Sequence, residues 1–174
     1  CNYLERARKG AIDSSIFLKS TASASAIKLN LAHALRIDKS YNNACRFTAL
    51  ALELAAENRQ RHAAVQKIML ENDSCTLATE VPVFLKLNES TIPWMRSIKS
   101  DNNYITGHID VLQFRNNKLY ILDYKPGADK EKPIGQLFVY ACCLSKETKV
   151  PFARIRLAWF DENVYYETGA MEVY

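Results

Sequence analysis

The sequence predicts an α/β protein: a mixed central β-sheet flanked by helices, with a helical layer at its N-terminus. Two observations carry this. Apolar residues recur at helical spacing through the first half, then switch to strand-like alternation after the breaker-rich run Glu71-Asn72-Asp73-Ser74. One further helical stretch is embedded among the strands, giving the order helix, three strands, helix, one or two strands. The chain of 174 residues suits a single domain, with residues 1–42 as a helical extension and 43–168 as the core.

The elements follow in order. After the small-residue run Ser20–Ser25, Ala26–Ile37 reads as a helix, and a longer one runs from about Asn43 to Leu70. In the latter Phe47, Ala51, Leu54, Val65 and Met69 keep one face apolar, and the same stepping puts Asn58 and His62 on that face. Thr76–Leu87, Tyr104–Phe114 and Lys118–Tyr124 read as strands, rich in β-branched and apolar residues. Lys132–Lys146 reads as a helix, with Pro133 in its first turn, where the missing N–H is harmless. Ala153–Phe160 and Val164–Glu167 flank the turn Asp161-Glu162-Asn163 as closing strands.

Composition narrows the classes. At 48% hydrophobic and 24% charged, with 5 Gly and 5 Pro, the chain is globular rather than collagen-like or disordered. No apolar run reaches the ~18–20 residues of a membrane span, and no signal peptide opens the sequence, so an intracellular, cytoplasmic protein without membrane partners is expected. Five cysteines without CxxC spacing read as reduced thiols. The net charge of +4 is uneven: residues 1–72 carry 11 Lys+Arg against 6 Asp+Glu, and residues 73–174 carry 12 against 13. The basic half could face a polyanion or be a solvated surface.

Chemistry concentrates between Gly107 and Gly127. Asn116-Asn117 suits a two-residue hairpin loop, because asparagine tolerates positive φ. Counting back from that turn puts Asp110 directly opposite Asp123, where like charges repel. Two such carboxylates are hard oxygen ligands for Mg²⁺ or Mn²⁺. Lys125, two residues on, shares the face of Asp123. A lysine beside such an ion suits phosphodiester hydrolysis: the ion acidifies a water, and the ammonium orients that water and stabilises the transition state. The plainer reading is a pair of solvated or lysine-paired carboxylates at strand ends. By the same period His108 shares the face of Asp110, and no role attaches to it.

Asp110 with Asp123-Tyr124-Lys125 resembles the signature of the PD-(D/E)xK nuclease superfamily. Gly-His-Ile-Asp, Asp-Tyr-Lys-Pro-Gly and the later Gln136-x-x-x-Tyr140 resemble its RecB-like branch, over about Asn58 to Phe160. The resemblance implies a restriction-endonuclease-like core of order αβββαβ and a metal-dependent deoxyribonuclease. It assigns His62, Asp110, Asp123 and the Tyr124 carbonyl to the metal, Glu80 to assistance through water or metal, Lys125 to catalysis, and Gln136 with Tyr140 to the nucleic-acid strand or to Lys125. Without it, His62 is equally a hydrogen-bonded histidine, Glu80 a solvated carboxylate, and Gln136 with Tyr140 a helix-surface pair. His33 is a rival for the metal, but it falls off the stripe of Ile27, Leu31, Ala34 and Leu35.

Some RecB-like nucleases hold an iron–sulfur cluster on C-terminal cysteines. Here no cysteine follows Cys143, so no such cluster is expected. Helicase motifs are absent, so any motor would be a partner, a helicase or another nucleic-acid-processing protein, or a part of the polypeptide outside this sequence. The runner-up is a catalytically inactive nuclease-fold module that binds nucleic acid or a partner protein. Its mark would be a lost Asp or Lys, and none is lost. A sequence-specific restriction-type enzyme would need base-reading elements that this length hardly holds.

Overall fold

The computed structural model describes residues 2–17, 21–29, 35–55, 57 and 60–174. Among them are the helices α1 (Asn2–Arg8), α2 (Asn43–Leu54), α3 (Arg61–Asn72), α4 (Ile134–Thr148) and α5 (Ala170–Val173). The strands are β1 (Ala22–Ser23), β2 (Asp38–Ser40), β3 (Thr76–Lys86), β4 (Tyr104–Arg115), β5 (Lys118–Tyr124), β6 (Ile155–Phe160) and β7 (Tyr165–Gly169). All seven join one mixed sheet in the order β1-β4-β5-β6-β7-β2, with β3 paired to β4. This is the predicted α/β class, and the five long strands and α4 fall within a few residues of their predicted bounds. None of the described helices is long and apolar enough to cross a membrane.

Two helix expectations need correction. The stretch from Asn43 to Leu70 is not one helix: α2 closes at Ala55, whose extended backbone ends it, and α3 starts at Arg61. Twenty-eight helical residues would run ~42 Å, too long for a short-stranded sheet, whereas two shorter helices packed on each other cover it. The break rotates the stripe, so Ala51, Val65 and Met69 are buried while Leu54 is 70% exposed. Asn58 lies outside the described residues. The helix expected at Ala26–Ile37 is also not formed in its described parts: 24–26 is a 3₁₀ turn and 27–29 and 35–37 are irregular. Ile27 and Leu29 instead lay backbone against Gly135 of α4, where a Cβ would stand 2.3 Å from the Ile27 carbonyl oxygen. In the extension 1–42 only α1 is α-helical among the described residues, and β1 and β2 add strands instead. His33 lies outside the described residues.

Two cores sandwich the sheet. One joins α4 to Val81, Val83, Leu85, Ile109, Leu112, Ile121 and Trp159; the other joins α2 and α3 to Val111, Leu122, Tyr124, Ala158 and Phe160. The β4–β5 hairpin has the expected register, Arg115 with Lys118 through Val111 with Leu122. Its turn residues Asn116 and Asn117 take φ of 49° and 57°, the double positive φ of a type I′ turn.

On one edge β4 has β3 for its whole useful length, and β5 and β1 share the other. β5 pairs from Val111 onward and β1 pairs at Ile105 and Thr106, so among the described residues no strand pairs on this edge from Gly107 to Asp110. At the same level both β3 and β4 reverse their faces. Ile109 belongs to the α4 core and Val111 to the α3 core, although period two would put them together. On β3 the reversal falls at Glu80, whose φ of 50° lies in the left-handed region. The ladder pairs Thr79 with Val111 and Val81 with Ile109, and skips Glu80 and Asp110.

Candidate active site

The stretch of β4 left open on its β5 edge is where the sequence-derived residues meet. Asp110 turns its carboxylate across the missing rung, and Oδ2 accepts the Tyr124 N–H at 3.0 Å. The side chain therefore replaces the backbone partner that β5 lacks one position beyond the ladder. Asp123, 2% exposed, stands in the neighbouring row, and its Oδ2 has Lys125 Nζ at 3.1 Å. That oxygen is buried without a hydrogen bond of acceptable angle. The loop after β5 is pinned by the Lys125 N–H to the Phe160 carbonyl at 2.9 Å and by the Ala128 N–H to Asp161 Oδ2 at 2.8 Å. Asp161 also accepts the Asn163 and Val164 N–H groups, so this buried carboxylate is a loop clamp.

The two helices approach from opposite faces. From α3, His62 Nε2 lies 3.1 Å from the Tyr124 carbonyl oxygen, and its ring meets the Tyr124 ring edge-on at 4.9 Å. One turn on, Gln66 Nε2 donates to Glu80 Oε1. From α4, Gln136 Nε2 lies 3.4 Å from Asp123 Oδ1 and donates to the Tyr140 hydroxyl at 2.9 Å. Tyr140 is buried, and burial pushes its hydroxyl up to about 12, so it stays a neutral phenol. Its ring passes over Gly107: a Cβ there would stand 2.3 Å from Tyr140 Cε1. Gly107→Ala must displace a buried ring or the strand, and is expected to destabilise the fold by about 1–3 kcal/mol. Urea unfolding measures that loss.

The electrostatics are those of crowded anions. Burial first, then Asp123 and Glu80, push the Asp110 carboxyl up to about 7, against the Tyr124 N–H and Lys125, which hold it down. Burial likewise raises Asp123, with Lys125 the chief opposing influence and His62 a lesser one. Among the described residues, no three His, Cys, Asp or Glu side chains stand close enough to hold an ion as a ready cage. Asp110, Asp123 and the Tyr124 carbonyl oxygen are the donors that could share one.

Thus Glu80, Asp110, Asp123, Tyr124, Lys125, Gln136, Tyr140 and His62 are brought around one gap. His108 is not: it is exposed and packs at 5.5 Å against the Phe17 ring, because the face reversal between it and Asp110 breaks the period that joined them. Sequence reasoning missed Gln66 and Gly107. Gln66 carried a signal, a polar residue four after His62 on the buried side of its helix, while Gly107 showed only as the first letter of Gly-His-Ile-Asp.

Fold and site together define an α/β protein of the restriction-endonuclease-like type. The profile of the PD-(D/E)XK nuclease superfamily matches residues 9–168, more than nine-tenths of the sequence, and the chain belongs to that superfamily. No curated protein matches it.

Proposed function

We propose that this chain hydrolyses phosphodiester bonds of DNA with Mg²⁺ or Mn²⁺, as a member of the RecB-like branch. The observation that carries the reading is the buried Asp123 carboxylate, which shares its place with the Asp110 carboxylate and whose Oδ2 faces the Lys125 ammonium at 3.1 Å without a well-directed hydrogen bond. Mutual repulsion in a desolvated place is relieved by a cation. The donors are hard oxygens and few, which suits an ion that keeps several waters. His62 Nε2 lies at hydrogen-bond distance, 3.1 Å, from the Tyr124 carbonyl oxygen, which brings a nitrogen donor beside the oxygen donors.

Asp110, Asp123, the Tyr124 carbonyl and His62 would hold the ion, with Glu80 assisting through water. When bound, it would acidify a water and neutralise phosphate charge. Lys125, tethered by Asp123 and by its own backbone N–H, presents its ammonium to the attacking water and to the charge that grows on the phosphate. Gln136, fixed between Asp123 and Tyr140, aligns the strand or steadies the lysine's neighbour. The basic surplus of residues 1–72 supports a polyanionic substrate, and a helicase or similar nucleic-acid-processing protein would be the natural partner.

The test is incubation with single- and double-stranded DNA, and with RNA, in Mg²⁺, Mn²⁺ or EDTA. DNA cleavage that needs the ion is expected. Binding without cleavage in every condition would overturn the reading in favour of a non-cutting module.

A further inference from the structure

We propose that Gln66 is a positioning residue that holds the Glu80 carboxylate at the site; this rests on the function proposed above. Glu80 occupies an awkward place. Its backbone is left-handed in the middle of a strand, the ladder skips it, and its side chain is exposed. A glutamate so placed is free to turn outward into water. Yet Glu80 and Asp110 hold facing positions on β3 and β4, between the rungs Thr79–Val111 and Val81–Ile109, so the two carboxylates belong to one cluster of anions and repel.

What opposes the repulsion is a donor from α3. Gln66 is 8% exposed, on the packed face with Val65 and Met69, and its Nε2 donates to Glu80 Oε1. A buried amide has few orientations, so the hydrogen bond selects one rotamer of the glutamate. Being an amide, it supplies a donor without the positive charge that would compete with a cation for the carboxylates. Gln66 lies four residues after His62, so one face of α3 makes both contacts: His62 with Tyr124 at the end of β5, and Gln66 with Glu80 on β3. These strands flank β4 on its two edges. A single helix face therefore sets the spacing of the outer groups about Asp110.

The experiment is a double-mutant cycle of Gln66→Met, which keeps the volume and removes the donor, with Glu80→Gln. Mn²⁺ affinity is measured by calorimetry without DNA, and kcat and KM on DNA separately. Gln66→Met is expected to weaken Mn²⁺ binding by about 10-fold or more and to lower kcat, with KM within about 2-fold of wild type. In the Glu80→Gln background it should change neither quantity, and Gln66→Asn, which keeps an uncharged amide donor, should recover part of the loss. Losses that simply add in the double variant would overturn the proposal, as would a Gln66→Met protein indistinguishable from wild type. The hydrogen bond itself is read by solvent exchange of the Gln66 side-chain amide, slow in wild type and fast in Glu80→Ala. Equal exchange in the two overturns the positioning role even if the protein cuts DNA. A slow amide in a wild-type chain that neither binds Mn²⁺ nor cuts overturns the proposed function, and with it the catalytic use of Glu80.

Discussion

Lys125→Ala is expected to lower the turnover of DNA by about 10³-fold while leaving DNA affinity within a few-fold. The ammonium is held by Asp123 Oδ2 at 3.1 Å and carried on backbone fixed to Phe160, so it is in place before substrate arrives. A fixed charge facing the growing negative charge acts chiefly in the transition state, and removing one such group commonly costs 10²–10³ in rate. It should appear in kcat rather than KM. Single-turnover cleavage and an anisotropy titration separate the two, and a variant that cuts at near the wild-type rate would remove Lys125 from the chemistry.

Asp110→Asn should abolish Mn²⁺ binding and cleavage and, at the same time, make the metal-free protein more stable. The Asp110 carboxyl titrates in the folded chain near 7, well above its unfolded value, because it is buried beside Asp123 and Glu80. A raised folded pKa means stability that is present below about pH 4 and is lost as pH rises to about 7. The metal-free wild type should therefore melt lower at pH 8 than at pH 5 as far as this group is concerned. The asparagine has no charge to lose, so the contribution disappears and the Tm at pH 8 rises, by ~2–4 °C per kcal/mol recovered. Added Mn²⁺ should reverse the ranking, because only the wild type gains from binding. Thermal melts in EDTA and in Mn²⁺ at the two pH values check both halves; an asparagine variant that binds Mn²⁺ as tightly as wild type would dismiss Asp110 as a ligand.

Where local chemistry decides conformation, the sequence was readable. Asn116-Asn117 set the hairpin register before any coordinates, but the ladder ends at Val111 and Leu122, so Asp110 and Asp123 are close neighbours rather than the directly opposed pair expected. Pro133 and the apolar stripe of Ile134, Leu137, Ala141 and Leu144 located α4 to within two residues. Periodicity failed where tertiary packing overrode it. The apolar stepping continued through Leu54 to Val65, but the sheet beneath required two helices, and nothing in 55–60 is a strong breaker. The reversal at Glu80 was equally hidden, since a glutamate with positive φ leaves no mark on the pattern of its neighbours. His108 was misplaced for that reason. Gln66 was passed over because a polar residue on a buried stripe acquires meaning only from the carboxylate opposite it.

The matched reversal of β3 and β4 also limits how such a chain can evolve. A residue gained or lost in one strand slips its register, and slippage by one turns every later side chain to the other face. Here, beyond the irregularity of β3 between Thr76 and Ala78, each strand spends one irregular position at the level of Asp110, and the two cancel: Val81, Val83 and Leu85 stay with Ile109 on the α4 side, while Thr79 stays with Val111. Deleting Glu80 alone would set Val81, Val83 and Leu85 toward solvent, or drag the reversal out of line with Asp110. A descendant sequence can regularise this sheet only by altering both strands together, an improbable double event. Changes of length are therefore expected to be tolerated outside the pair, as in 87–103, and a single insertion or deletion inside it is expected to disperse Glu80 and Asp110.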